Sequence, residues 1–193
     1  MSLPQIPFWF LRHGETDWNA RFLAQGTTDV ALNANGVAQA HRAAATLRTL
    51  PPERRPVAII ASPLGRAQVT AEVAADALGL PVTTDQDLRE CCFGVMEGQV
   101  MAEWFHAWVA GEDTPEGCES FAALRARARS AIGRLLVMPG PVLVVAHGAL
   151  WRGFRAEAGM PADVRTPNAQ PLWVAPGAPA WTMTALELVA PVD

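Results

Sequence analysis

Three short runs of this chain are apolar without a break: IPFWFL at 6–11, VAIIA at 57–61 and VLVVA at 142–146. A strand with one wet face alternates apolar and polar residues, whereas a strand covered on both faces does not. These runs therefore call for a sheet with a layer on either side. PLWVA at 171–175 and WTMTALELV at 181–189 are weaker strand candidates. Helical patterns fill the gaps. One starts at Asn33-Ala-Asn35-Gly36 and reaches about Leu47, and another follows Pro63 to about Leu78, closed by Gly79 and Pro81. Two more span 100–109 and 119–137. Strands alternating with helices imply an α/β fold, here a single three-layer α/β/α domain over 1–193 with a mostly parallel central sheet. PPERRP (51–56) and GEDTPEG (111–117) read as loops within it.

Composition removes several chemistries. All 15 basic residues are arginine. A Walker loop and a Schiff-base enzyme both need a lysine, so neither fits. There is no tyrosine to act as a phenolic acid or base. The net charge of −4 argues against nucleic acid or an anionic membrane as partner. Cys91, Cys92 and Cys118 are too few and too closely set for a disulfide framework, and neither CxxC nor HExxH occurs, so no zinc site is expected. The N-terminal MSLPQIPFWFLRHG has no basic leader and no small-residue cleavage site, and no apolar run is long enough to span a bilayer. A reducing, cytoplasmic setting is the expectation.

The strand ends carry the polar residues of interest. The first strong strand ends in Arg12-His13-Gly14, the second runs into Ser62 with Arg66 four residues on, and the third ends in His147-Gly148. In open α/β sheets ligands bind beyond the carboxyl ends of the strands. If these strands are parallel neighbours, two histidines and two arginines converge there, a set suited to a phosphoryl group. Arginine forks onto phosphate oxygens with a permanent charge, and histidine can accept the phosphoryl group on a ring nitrogen. The flanking glycines would let a ligand approach the backbone.

On these segments the chain resembles the histidine phosphatase superfamily, the phosphoglycerate mutase-like enzymes. LRHGETDWN (11–19) is similar to the family's R-H-G signature, and QGTTDVALNANGVAQA (25–40) to the segment after it. ASPLGRAQVTAE (61–72) resembles the segment bearing the second arginine, and LRECCFGVMEG (88–98) the acid-bearing one. PEGCESF (115–121) and VLVVAHG (142–148) resemble the next two. The order of six such segments is far more specific than one R-H-G. Met96, Cys118 and Ala146 depart from the family pattern without removing a core catalytic group.

The resemblance implies a phosphoglycerate mutase-like fold and a metal-independent phosphomonoesterase acting on a small organic phosphate. His13 would be the nucleophile, Glu90 the proton donor, and Arg12, Arg66 and His147 the rest of the phosphate pocket. Asn19, Gln25 and Gly148 would add substrate contacts. No metal or organic cofactor is implied. The alternatives are a cofactor-dependent phosphoglycerate mutase and a phosphate-pocket protein without turnover. Oligomeric state is open, with a homodimer the form to test.

The residues admit plainer readings. His13 could be a turn histidine and His147 a satisfied core histidine. Glu90 could pair with Arg89, and Arg125, Arg127, Arg129 and Arg134 could be the wet side of a helix. His41 and His106 suggest no role. Residues 91–120 are expected to form a lid over the site. From Cys91 to Leu124 there is no arginine or lysine, but there are Glu97, Glu103, Glu112, Asp113, Glu116 and Glu119. A lid with that charge should repel a second anion on the substrate and favour hydrolysis over mutase chemistry.

Overall fold

A computed structural model describes residues 3–189. Strands β1 (Phe8–Arg12), β2 (Ala58–Ala61), β3 (Val82–Thr84), β4 (Val142–Ala146), β5 (Leu172–Ala175) and β6 (Thr182–Ala185) form one sheet in the order β3-β2-β4-β1-β5-β6. The first four run parallel; β5 pairs antiparallel with β1, and β6 with β5. The helices are α1 (Asp17–Ala20), α2 (Ala34–Arg48), α3 (Gly65–Leu78), α4 (Glu103–Ala110), α5 (Phe121–Leu135) and α6 (Gly148–Glu157). No described helix is long and apolar enough to cross a membrane.

Strand alternation sorts the core into two layers. Phe8, Phe10, Val142 and Val144 point to the side of α4, α5 and α6, where Phe10 stacks on Trp151 at 3.9 Å between ring centroids. Trp9, Leu11, Leu143 and Val145 point to the opposite side, against α2 and α3. Those two helices meet the sheet through Ala43, Ala44, Ala67, Ala71 and Ala74, and such small side chains bring backbone close to sheet. The expected three-layer α/β architecture is therefore present.

The short α1, the three-residue edge strand β3, and α6, which begins at Gly148 directly after His147, were not expected. The 181–189 strand is shorter than read, and all four residues of β6 are exposed. What positions the site is the place of β4. It lies between β1 and β2, so the carboxyl ends of three strands from distant parts of the chain become neighbours. Main-chain bonds carry this alignment past the strand ends, with His13 N donating to Ala146 O and Ser62 N to Val145 O, both at 3.0 Å.

Candidate active site

A cleft of about 170 Å³ opens at those carboxyl ends. Arg12, His13, Asn19, Gln25, Arg66, Glu90 and Gly148 all line it. His147 does not; its ring lies 5.2 Å from that of His13, centroid to centroid, and is fully buried. The expected residues thus converge, with His147 one layer deeper than expected.

His13 is held by its own turn. Its Nδ1 lies 2.7 Å from Gly14 O, and a carbonyl can only accept, so Nδ1 carries the proton and Nε2 keeps its lone pair. Burial first, then the charges of Arg12 and Arg66, hold the imidazole well below its ordinary value, so it is neutral near pH 7. His147 is also held well below that value, by burial and then by Arg66. Its Nε2 lies 2.6 Å from Ser62 Oγ, and its buried Nδ1 has no partner among the described residues. Gly14 has a different reason from the one expected. A Cβ there would run into the carbonyl of Gly36, and one on Gly36 would run into that of Glu15, so the two glycines let the turn press against the start of α2.

Both arginines are anchored by carbonyls rather than by carboxylates at close range. Arg12 Nη1 donates to Thr166 O at 2.7 Å, and burial lowers its value to about 10, still a cation at neutral pH. Gly148 leaves room for that guanidinium at the start of α6. Arg66 donates Nη2 to Gly26 O and Nη1 to Thr28 O, both at 2.8 Å, and lies 3.5 Å from Asp29. The Nε of each arginine is buried without a partner. Asn19 accepts on Oδ1 from Thr16 N (3.3 Å) and Asn168 Nδ2 (3.0 Å), which leaves its Nδ2 as the donor for the cleft. Gln25 is buried with its Oε1 unpaired.

Glu90 is not on the surface and does not pair with Arg89, which lies 3.6 Å from Asp87. Its Oε1 accepts from Cys91 N and Leu150 N, each at 2.9 Å, and its Oε2 from Ala149 N at 3.0 Å. The carboxyl caps α6, whose N-cap residue His147 offers no side-chain bond.

Other expectations need correction. Arg127 is not on a wet helix face: it bonds Glu119 and donates to the carbonyls of Asp87 and Arg89, clamping the acid-bearing segment. Arg134 pairs with Asp85 and Asp87 outside the cleft. The acids of 91–124 do not face the cleft, to which that stretch gives Phe93, Met101, Phe105 and His106. Glu97 is consumed by the backbone and hydroxyl groups of Thr27 and Thr28, at 2.5–3.0 Å. It thereby fixes the loop whose carbonyls hold Arg66. The cleft's further cations come from elsewhere: Arg152 of α6 and Arg165 of the loop after it. Sequence reading also missed Asn168, which donates to His13 O at 2.9 Å as well as to Asn19. Among the described residues no group of three or more His, Cys, Asp or Glu could hold a metal ion.

Comparison with known proteins matches residues 8–169 to the histidine phosphatase superfamily (branch 1). A relative from Yersinia enterocolitica named "Probable phosphoglycerate mutase GpmB" is 40% identical over 155 residues, 74% of this chain and 70% of that one. A mycobacterial glucosyl-3-phosphoglycerate phosphatase structure is similar over 93% of this chain and 97% of its own, with a TM-score of 0.77 and 27% identity. A phosphoserine phosphatase from Entamoeba histolytica, at 23% identity and a TM-score of 0.79, shares the fold over 93% of this chain and 96% of its own.

Proposed function

The chain belongs to the histidine phosphatase superfamily, and from that premise we propose that it is a metal-independent phosphomonoesterase working through phosphohistidine at His13. The observation that carries this reading is the state of the His13 ring: neutral, Nδ1 tied to Gly14 O, Nε2 unengaged, and two arginines beside it. Nε2 attacks phosphorus in line as the ester oxygen leaves with its bonding electrons. Arg12, Arg66 and the Asn19 amide spread the charge of the equatorial oxygens, and His147 supports them from behind. Glu90 gives a proton to the leaving oxygen, then takes one from the water that attacks phosphohistidine and releases inorganic phosphate. Oε2, with one main-chain donor against two on Oε1, is the oxygen suited to that exchange. Gln25 and Gly148 complete the pocket, and residues 91–120 cover it through Phe93, Met101 and Phe105.

Hydrolysis is favoured over transfer because the mouth is wet, with Phe22, His106 and Arg165 all exposed. The mycobacterial relative, similar over nearly the whole chain, is a phosphatase by name. The second reading, a phosphoglycerate mutase, is favoured by the name of the Yersinia relative and by Arg152 and Arg165, since extra cations suit a second anionic group. The test is release of free phosphate from alkyl and aryl phosphates in excess chelator, beside isomerisation of 3-phosphoglycerate primed with bisphosphoglycerate. Acid-labile label should appear on the wild-type protein and not on His13→Ala. Isomerisation much faster than phosphate release would make the chain a mutase.

A further inference from the structure

Two free thiols meet beside the acid-bearing segment. Phe93 and Cys118 face each other across an antiparallel bridge, and Glu119 N donates to Cys92 O at 2.8 Å. Cys91, two places before Phe93, shares the face on which Cys118 stands. The two stretches are pressed together here: a Cβ on Gly94 would run into the main chain of Glu116 and Gly117. Both sulfurs rest on one carbonyl, Glu119 O, at 3.7 Å from Cys91 Sγ and 3.3 Å from Cys118 Sγ, and the thiols hydrogen-bond to each other. Cys92 is turned away, with its Sγ 3.4 Å from Gly117 O.

The pair is asymmetric. Cys91 is sealed in the apolar core, and burial raises its thiol well above the ordinary value. Cys118 is half-buried, and its bond to Cys91 holds its thiol below that value. A small oxidant therefore meets Cys118 first, and Cys91 is the thiol placed to answer it. The surroundings tie the pair to the cleft. Cys91 N donates to Glu90 Oε1, and the carboxylate of Glu119, next to Cys118, holds the Arg127 that clamps the carbonyls of Asp87 and Arg89. Neither thiol takes part in the phosphoryl transfer proposed for the cleft.

We propose that Cys91 and Cys118 form an oxidisable dithiol, a modification site for peroxide, whose disulfide loosens the grip of Glu90 on α6. The Cys118 thiolate attacks a peroxide oxygen, the O–O bond breaks, and the departing hydroxide takes up the thiol's proton to become water. The Cys91 sulfur then attacks the sulfenic sulfur of Cys118, the S–O bond breaks, and that hydroxide leaves as water with the Cys91 proton. Two thiols are oxidised to one disulfide as one peroxide is reduced to two waters. An S–S bond is about 2.05 Å long, much shorter than a thiol hydrogen bond, so closing it draws the two stretches together. The peptide joining Glu90 to Cys91 lies at that point. A pair that is reduced at rest and oxidised on demand is no disulfide framework. The effect on turnover, unlike the bond itself, rests on reading Glu90 as the proton donor.

Hydrogen peroxide on the full chain tests this, followed by unfolding in urea and blocking of thiols with a maleimide. Residues 90–125 leave trypsin as one peptide carrying all three cysteines. After oxidation that peptide should lose two hydrogens and take up a single maleimide, and dithiothreitol should restore it. Cys92→Ala should still lose the two hydrogens, and Cys118→Ser should not. In the oxidised chain, hydrogen exchange at the Ala149 and Leu150 amides, both held by Glu90, should quicken about tenfold. Phosphate release from alkyl phosphates should fall about tenfold. Dithiothreitol should reverse both changes, which excludes oxidised methionine as their cause. A peptide that keeps every thiol, or gains oxygen without losing hydrogen, overturns the dithiol, as does a hydrogen loss that needs Cys92. Unaltered exchange at Ala149 and Leu150 in the disulfide form overturns the link to Glu90. Disulfide formation with quickened exchange, in a chain that releases no phosphate in either form, would uphold the dithiol and sink the phosphatase reading.

Discussion

The side-chain amide of Asn168 donates to the main-chain oxygen of His13, 155 positions earlier in the chain, and the same amide nitrogen holds Asn19 Oδ1 at 3.0 Å. One residue thus orients both a ring proposed to react and an amide proposed to grip phosphate. Asn168→Ala should leave the chain folded, lower its stability by about 1–2 kcal/mol, and cut kcat by about 10- to 100-fold. Single-turnover labelling checks this: phosphohistidine should form slowly at saturating substrate. A change confined to KM would show that Asn168 does not act through His13.

Glu97 should matter although it touches no substrate. Glu97→Ala frees Thr27 and Thr28, and with them the loop whose carbonyls hold Arg66. Inorganic phosphate should bind about tenfold more weakly, with Glu97→Gln recovering part of the loss. If the chain loses stability but keeps its affinity for phosphate, the loop does not govern Arg66.

Glu90→Gln tests two duties at once. As a cap, the carboxyl serves three main-chain donors, and an amide nitrogen would face one of them donor to donor; about 1–3 kcal/mol of stability should go. As a proton donor, it should matter most where the leaving group is poor. Alkyl phosphate turnover should fall about 100-fold or more while nitrophenyl phosphate falls far less. Parallel losses on both substrates would leave only the cap.

The two buried histidines make stability depend on pH with a definite sign. Both are held well below 6.5, so between that value and their depressed ones the unfolded chain binds more protons than the folded chain. Stability should therefore be constant above about pH 6.5 and fall as pH drops below it, by up to about 1.4 kcal/mol per pH unit for each histidine. Urea midpoints from pH 7.5 to 5 in phosphate-free buffer measure this. His13→Asn should flatten the slope; an unaltered slope would place the proton uptake elsewhere.

How far the sequence reaches is clear from particular residues. β1, β2 and β4 were legible because both faces of each are covered, and Arg12, His13, Arg66 and Gly148 because each sits in a motif at or just after the end of a strand, whereas Glu90 was reached only through the resemblance of its segment. α6 was not legible. Gly148 and Gly153 weaken its helical pattern, and the buried Arg155 looks polar where the helix is in fact inside. Asn168, Arg152 and Arg165 carry no motif. They act through carbonyls, amides and ring faces that only the folded chain brings within reach. The acidic run after Cys91 misled because charge in a sequence has no direction; Glu97 and Glu119 turn to the Thr27–Thr28 loop and to Arg127, not to the cleft.

The place of β4 between β1 and β2 also sets an order of assembly. The first two strands never pair with each other, and the strand that joins them begins at Val142. A growing chain therefore carries Arg12 and His13, and later Arg66, without the frame that brings them together until β4 has been made. Pairings across such separations close slowly and leave apolar strands uncovered in the meantime. A nascent chain halted before residue 142 would have no phosphate pocket to stabilise it, and phosphate in a refolding buffer should speed only the steps that follow insertion of β4.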